Sequence, residues 1–64
     1  MNRRYIMRLP AVMHATGYKR SSIYQMMQEG RFPRARSIGA RAVGWSSDEI
    51  QQWVDARLDV GIPI

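Results

Sequence analysis

The most regular pattern in the chain lies in residues 9–30, whose sequence is LPAVMHATGYKRSSIYQMMQEG. Apolar or half-polar residues there recur at i, i+3, i+4 and i+7, the spacing that lines one face of a helix. These residues are Leu9, Val12, Met13 and Thr16. Pro10 suits the first turn of such a helix, and Gly17 suits the position just after its end. The pattern therefore predicts a short first helix that stops at Gly17.

A second helix is predicted over residues 20–29, with Gly30 as its C-terminal stop. Its apolar residues Ile23, Met26 and Met27 share one face. At 100° per residue the opposite face carries Ser21, Gln25 and Gln28, flanked by Ser22, Tyr24 and Glu29. The linker of about three residues at Gly17 is too short for a long antiparallel hairpin, which indicates a tight, angled helix-turn-helix.

Past Gly30 the sequence changes to the pattern of a β-hairpin. Pro33 disfavours helical geometry at Phe32 and lacks a backbone donor. Residues 34–38 and 42–45 flank a short turn over 39–41, which predicts two strands with Arg41 at or beside the tip. Upstream of the first helix, residues 4–8 are expected to form a weak strand or an extended arm.

The third helix has the clearest start signal in the sequence. Residues 46–49, Ser-Ser-Asp-Glu, form a capping box in which Ser46 accepts from the backbone near Glu49 and Glu49 reaches back to the Ser46 amide. An apolar face that should close the core follows at Ile50, Trp53, Val54 and Leu58. Trp45 and Trp53 are expected to pack the hairpin onto this helix. The tail over 61–64 is expected to be non-helical.

Length and composition limit the fold to one small domain. The chain has 64 residues, of which 45% are hydrophobic, and it has no Cys, so a single core without disulfides must stabilise it. We expect one domain over 1–64, mainly α-helical with a small β-hairpin: a winged helix-turn-helix of three helices plus a wing. No apolar run approaches the roughly 18 residues that cross a bilayer, so we expect a soluble, cytoplasmic protein without a membrane partner.

Charge is distributed unevenly along the chain. The net charge is +5 overall, but it is +8 over residues 1–44 and −3 over residues 45–64, and nine of the ten basic residues are Arg. Because Arg makes bidentate contacts with phosphate and guanine, this distribution favours a protein that binds a phosphate backbone. The alternative explanation is a solvated basic surface that only aids solubility.

Catalysis has few candidate residues. His14 is the one histidine and falls on the polar side of the first helix, and without Cys the usual zinc ligand sets cannot form. Ser21 and Ser22 have no nearby His in the sequence, and capping and solvation account for the carboxylates of the third helix. We therefore expect no enzyme, no metal and no cofactor.

Nucleic-acid contacts are expected from the second helix and the hairpin. One helix fits the major groove of B-DNA, where residues near its start reach base edges, while hairpin arginines contact the adjacent backbone or minor groove. The predicted DNA-binding residues are Lys19, Arg20, Ser21, Ser22, Tyr24, Gln25, Gln28, Arg34, Arg36 and Arg41.

Several sequence blocks together match the pattern of a known family. In order they are Leu9-Pro10-Ala11-Val12, Thr16-Gly17-Tyr18-Lys19-Arg20-Ser21-Ser22-Ile23-Tyr24, Glu29-Gly30-Arg31-Phe32-Pro33 and Val43-Gly44-Trp45, followed by Ile50 and Trp53. Over residues 8–58 the chain resembles the AlpA family of prophage regulators. The resemblance implies a MerR-like winged-helix fold, shared with small phage excisionases, and a DNA-binding role.

Lys19 departs from this family pattern, which usually has Ser before the Arg of the recognition helix. The usual N-cap is then lost. Either Ser21 caps a helix shortened by about two residues, or the helix starts uncapped at Lys19 at a cost of about 1 kcal/mol.

Three functional hypotheses follow from the sequence and the resemblance. The leading one is a sequence-specific, double-stranded-DNA-binding transcription regulator of a prophage or integrative element. The second is an excisionase that bends attachment-site DNA, and the third is a protein-interaction adaptor or antirepressor that acts through the acidic third helix and the tail over 61–64. Integrase, RNA polymerase and further copies of the chain on DNA are the protein partners these hypotheses imply, with the protein associated with the nucleoid.

Overall fold

The fold is that of a computed structural model, which describes residues 4–60. Its elements are, in chain order, β1 (Ile6–Met7), α1 (Leu9–Thr16), α2 (Arg20–Gln28), β2 (Arg36–Gly39), β3 (Ala42–Ser46) and α3 (Ser47–Val60). Three helices and a hairpin confirm the predicted fold class. The predicted non-helical tail over 61–64 lies outside the described residues.

Both helices of the helix-turn-helix end at the predicted glycines. Gly17 has a φ of 77°, and its N–H donates to the Met13 carbonyl oxygen at 2.8 Å. Gly30 has a φ of 76°, and its N–H donates to the Met27 carbonyl oxygen at 3.1 Å. A left-handed residue in this position satisfies carbonyls that the end of a helix leaves without partners.

The hairpin is part of a three-stranded antiparallel sheet in the order β1-β3-β2. Residues 4–8 thus contribute a short strand, in which Met7 pairs with Trp45. β2 begins two residues later than the predicted strand, and its register against β3 shifts between Ser37 and Gly39. The central position of β3 connects the N-terminal arm to the wing.

Gly44 has a packing role that the sequence did not indicate. A Cβ at this position would overlap Cγ2 of Ile6 and would lie 3.3 Å from the carbonyl oxygen of Met7. Glycine in a strand often marks a place where another chain segment approaches closely. Here it lets β1 lie against β3.

The core draws on every part of the fold except β2. Its buried hydrophobic residues are Met7, Val12, Ile23, Met26, Phe32, Trp45 and Ile50. Trp45 is the largest fully buried side chain, and its indole Nε1 donates to the Pro33 carbonyl oxygen at 3.1 Å. The polar atom of this side chain is therefore satisfied inside the core.

The predicted apolar face of α3 is correct at Ile50 and wrong at Leu58. Ile50 is 1% exposed, Trp53 and Val54 are half-buried, and Leu58 is 73% exposed. Leu58 borders an open hollow together with Ala15 and Thr16 at the end of α1, so its side chain faces solvent instead of closing the core.

The capping box at the start of α3 is half formed. Ser46 Oγ accepts from the Glu49 N–H at 3.5 Å, but the Glu49 carboxylate bonds Arg36 rather than the Ser46 amide. Ser47 is buried and makes two bonds with Tyr5, the residue before β1: its Oγ accepts from the Tyr5 N–H at 2.8 Å, and its N–H donates to the Tyr5 carbonyl oxygen at 2.9 Å. These bonds join the N-terminal arm to α3.

No helix within residues 4–60 is both long enough and apolar enough to cross a membrane.

Trp45→Ala should destabilise the protein by about 3–5 kcal/mol, the usual cost of truncating a buried aromatic residue. Leu58→Ala should change the unfolding free energy by less than about 0.5 kcal/mol, because Leu58 is exposed. Urea unfolding followed by circular dichroism measures both values. A large loss in Leu58→Ala would contradict the exposed position of Leu58.

Candidate nucleic-acid interface

α2 separates a polar outer face from an apolar inner face. Ile23 and Met26 are buried against the core. The exposed members of the predicted set on this helix are Arg20, Ser21, Tyr24, Gln25 and Gln28, whereas Ser22 is half-buried. The outer face thus presents hydroxyl, amide and guanidinium groups to solvent.

The N-terminus of α2 starts without a side-chain cap. Lys19 is the N-cap residue, with φ −81° and ψ 166°, and its side chain makes no capping hydrogen bond. Of the two expected outcomes, the structure has the uncapped start, with Arg20 as the first helical residue. The Arg20 guanidinium carbon lies 5.9 Å from the centroid of the Tyr24 ring, within the range of a cation–π contact.

Arg34 joins the outer face of α2 from the loop that follows it. A hollow of about 400 Å³ beside the helix is lined by Tyr24, Met27, Gln28 and Arg34. Three predicted DNA-binding residues from two segments therefore border one depression. An exposed guanidinium beside a polar helix face suits contact with a phosphate.

Arg41 lies at the tip of the hairpin, as predicted, in an unusual backbone conformation. Its φ is 59°, and it is the one non-glycine residue with positive φ in the described part of the chain. The left-handed region costs an L-amino acid other than glycine roughly 1–2 kcal/mol. The turn therefore presents a charged side chain where glycine would be less strained.

Arg36 forms an ion pair within the protein. Its guanidinium bonds the Glu49 carboxylate, and Arg4 Nε lies 4.0 Å from Asp48 Oδ2. Basic residues from the N-terminal part of the sequence thus meet acidic residues at the start of α3. The charges that are segregated along the sequence are partly paired in space.

A hydrogen-bonded network around one carboxylate lies at the end of α2, and the residues predicted from the sequence do not include that carboxylate. Glu29 bonds both Gln25 on the outer face of α2 and Arg31 in the following loop. The hydrogen bond from Arg31 has the largest effect on the pKa of Glu29 and lowers it below its ordinary value. The hydrogen bond from Gln25 and the charge of Arg31 lower this pKa further. The i, i+4 spacing of Gln25 and Glu29 was the available sequence signal.

Trp53 holds the loop between α2 and the wing. Its ring makes edge contacts with Tyr18 at 5.8 Å and Phe32 at 4.8 Å between centroids, and its Nε1 donates to the Arg31 carbonyl oxygen at 2.9 Å. The Arg57 guanidinium lies 4.8 Å from the centroid of the indole. One side chain of α3 therefore contacts the turn before α2 and the loop after it.

Within residues 4–60 no group of three His, Asp or Glu side chains is placed to bind a metal ion.

A helix-turn-helix with a polar outer face, closed by a third helix and flanked by a β-hairpin, defines a winged helix-turn-helix domain. The family model described as "Prophage CP4-57 regulatory protein (AlpA)" matches residues 5–58. The chain belongs to the AlpA family of prophage regulatory proteins. The resemblance found in the sequence blocks is thereby confirmed.

The chain is similar in sequence to two known proteins, and it covers different shares of their lengths. It is 38% identical over 58 residues to the "DNA-binding transcriptional activator AlpA" of Escherichia coli K12, an alignment that covers 81% of this chain and 83% of that protein. It is also 38% identical over 52 residues to "Uncharacterized protein ORF88" of Enterobacteria phage P4. That alignment covers 81% of this chain and 59% of the phage protein.

Lys19→Ser should raise the unfolding free energy by about 1 kcal/mol, because a Ser hydroxyl at the N-cap accepts from backbone N–H groups that α2 leaves without partners. Thermal melts followed by circular dichroism measure the change. Lys19→Ala is the matched control, since it removes the same charge without supplying a cap. Equal melting temperatures for the two variants would contradict the assignment of Lys19 as the N-cap.

Proposed function

We propose that the protein is a sequence-specific transcription regulator of a prophage or integrative element that binds double-stranded DNA through α2 and the β2–β3 wing. The observation that carries this proposal is the outer face of α2, where exposed amide, hydroxyl and guanidinium groups stand opposite the buried Ile23 and Met26. Such a helix fits the major groove of B-DNA and offers donors and acceptors to base edges.

In this arrangement the two ends of α2 have different tasks. Lys19 and Arg20 at the N-terminus bind phosphates, where the positive end of the helix dipole adds to their charge. Ser21, Gln25 and Gln28 read base edges further along the same face. Phosphate contacts set the position of the helix, and base contacts select the sequence.

The wing adds contacts outside the major groove. Arg34, beside α2, and Arg41, at the hairpin tip, bind the adjacent backbone or enter a narrow minor groove. Arg36 exchanges its bond with Glu49 for a bond with phosphate. Exposed ion pairs of this kind contribute little to stability, so the exchange costs the fold little.

Activation of transcription is the regulatory mode that the comparisons support best. The E. coli relative, of which this chain covers 83% of the length, is named a DNA-binding transcriptional activator. In this role the protein would bind near a promoter of the element and contact RNA polymerase. In the role of an excisionase it would contact an integrase. Reporter transcription and excision of the element, measured in parallel, distinguish the two roles.

Selection of binding sites from randomised DNA duplexes tests the proposal. If each of the five basic residues of the proposed interface neutralises one phosphate, a plot of log K against log salt should have a slope of roughly −4 to −5, at about −0.9 per contact. Fluorescence-anisotropy titrations at several salt concentrations measure this slope. A selected duplex bound no more tightly than random DNA, or a flat salt response, would contradict the proposal.

Arg41→Gly should separate stability from DNA binding. Glycine adopts a φ of 59° without strain, so the variant should melt at the same temperature as the wild type or higher. Its DNA affinity should fall on selected and random duplexes alike, since a phosphate contact carries no sequence information. Melts and anisotropy titrations give the two values, and an unchanged affinity would remove the wing tip from the interface.

A further inference from the structure

Three side chains form a hydrogen-bonded network at the C-terminal end of α2. Gln25 Nε2 donates to Glu29 Oε2 at 3.3 Å, and Arg31 Nε donates to Glu29 Oε1 at 2.9 Å. Each carboxylate oxygen thus has its own partner. The carboxylate connects the outer face of α2 to the loop that follows it.

The loop side of this network stands on a fixed backbone. The Arg31 N–H donates to the Met26 carbonyl oxygen at 2.9 Å, and the Arg31 carbonyl oxygen accepts from Trp53 Nε1 at 2.9 Å. Both backbone groups of Arg31 are therefore held, one by α2 and the other by α3. Its exposed guanidinium reaches Glu29 from this fixed backbone.

The network determines which part of the Gln25 amide is available to a ligand. A carboxylate only accepts hydrogen bonds, so Gln25 must present its NH₂ group to Glu29. The amide oxygen and the second amide hydrogen remain, which are one acceptor and one donor. In the major groove adenine presents the complementary pair, the N6 donor and the N7 acceptor, whereas guanine presents two acceptors.

We propose that Glu29 is a positioning residue that orients the Gln25 amide to read an adenine in the major groove. The inference rests on the proposed function, because it requires α2 to lie in that groove. Arg31 offsets the charge of Glu29, which would otherwise face the phosphates of the DNA. Glu29 acts through Gln25 and makes no base contact itself.

This role has a signature that loss of folding would not produce. Removal of the carboxylate should weaken discrimination at one base pair and leave affinity for random DNA unchanged or higher, since a negative charge near phosphates is also removed. A variant that simply unfolds would lose affinity for every duplex.

The experiment begins with a duplex obtained by site selection with the wild-type protein. Each base pair is then substituted, and affinities are measured for wild type, Gln25→Ala and Glu29→Ala. At one position the wild type should prefer an A·T pair over the other base pairs by about 5- to 150-fold, the range for a bidentate contact. Both variants should lose most of this factor at that pair.

Two comparisons make the result specific. In the double variant with both alanines, discrimination should equal that of Gln25→Ala alone, because Glu29 acts only through Gln25. Glu29→Gln keeps an acceptor and should restore part of the discrimination. Asp55→Ala is the matched control, because Gln51 Nε2 donates to Asp55 Oδ1 at 3.0 Å in the same kind of i, i+4 pair on α3. Loss of that bond should leave the base preference of the protein unchanged.

The outcomes separate this inference from the proposed function. If Glu29→Ala keeps full discrimination, or if the base pair that depends on Gln25 is not A·T, the role of Glu29 is overturned but the proposed function stands. A wild-type protein that binds selected and random duplexes equally would overturn both proposals.

Discussion

Two tryptophan indoles bind two carbonyl groups of one short loop, and the geometry of the domain depends on this arrangement. Trp53 Nε1 bonds the Arg31 carbonyl and Trp45 Nε1 bonds the Pro33 carbonyl, while the intervening Phe32 is buried. The loop joins α2 to the wing, and the two indoles come from α3 and β3. Because the loop is held on both sides of Phe32, the direction in which the chain leaves α2 toward the hairpin is set by the core.

The same arrangement explains how this small core leaves one whole face of the nine-residue α2 polar and exposed. A small core gives little margin of stability, so each large side chain must serve several contacts. Trp45 fills the centre and satisfies its own indole N–H on the loop. Trp53 covers the edge of the core between the turn at Tyr18 and the loop at Phe32. The outer face of α2 therefore need not contribute to the core.

Electrostatics in this domain act mainly outside the core. The ion pairs Arg4–Asp48, Arg31–Glu29 and Arg36–Glu49 are exposed, and such pairs contribute little to stability. Their main effect is to determine where on the surface positive charge stays unpaired. Glu49 and Asp48 reduce the positive charge beside the start of α3. Within residues 4–60, Lys19, Arg20, Arg34 and Arg41 form no such pair, so positive charge stays available at α2, in the loop after it and at the wing tip.

Local sequence signals determined the elements of this protein, and tertiary structure decided their contacts. Apolar spacing and the glycines at 17 and 30 predicted the helices correctly, since these depend on neighbours within a few residues. The exposure of Leu58, the packing role of Gly44 and the bond from Glu49 to Arg36 depend on residues distant in sequence. The partners of Glu29 are close in sequence, but the backbone of one of them, Arg31, is held by the Trp53 side chain 22 residues further along. Helical periodicity assigns a residue to a face, but only the packed structure determines what that face meets.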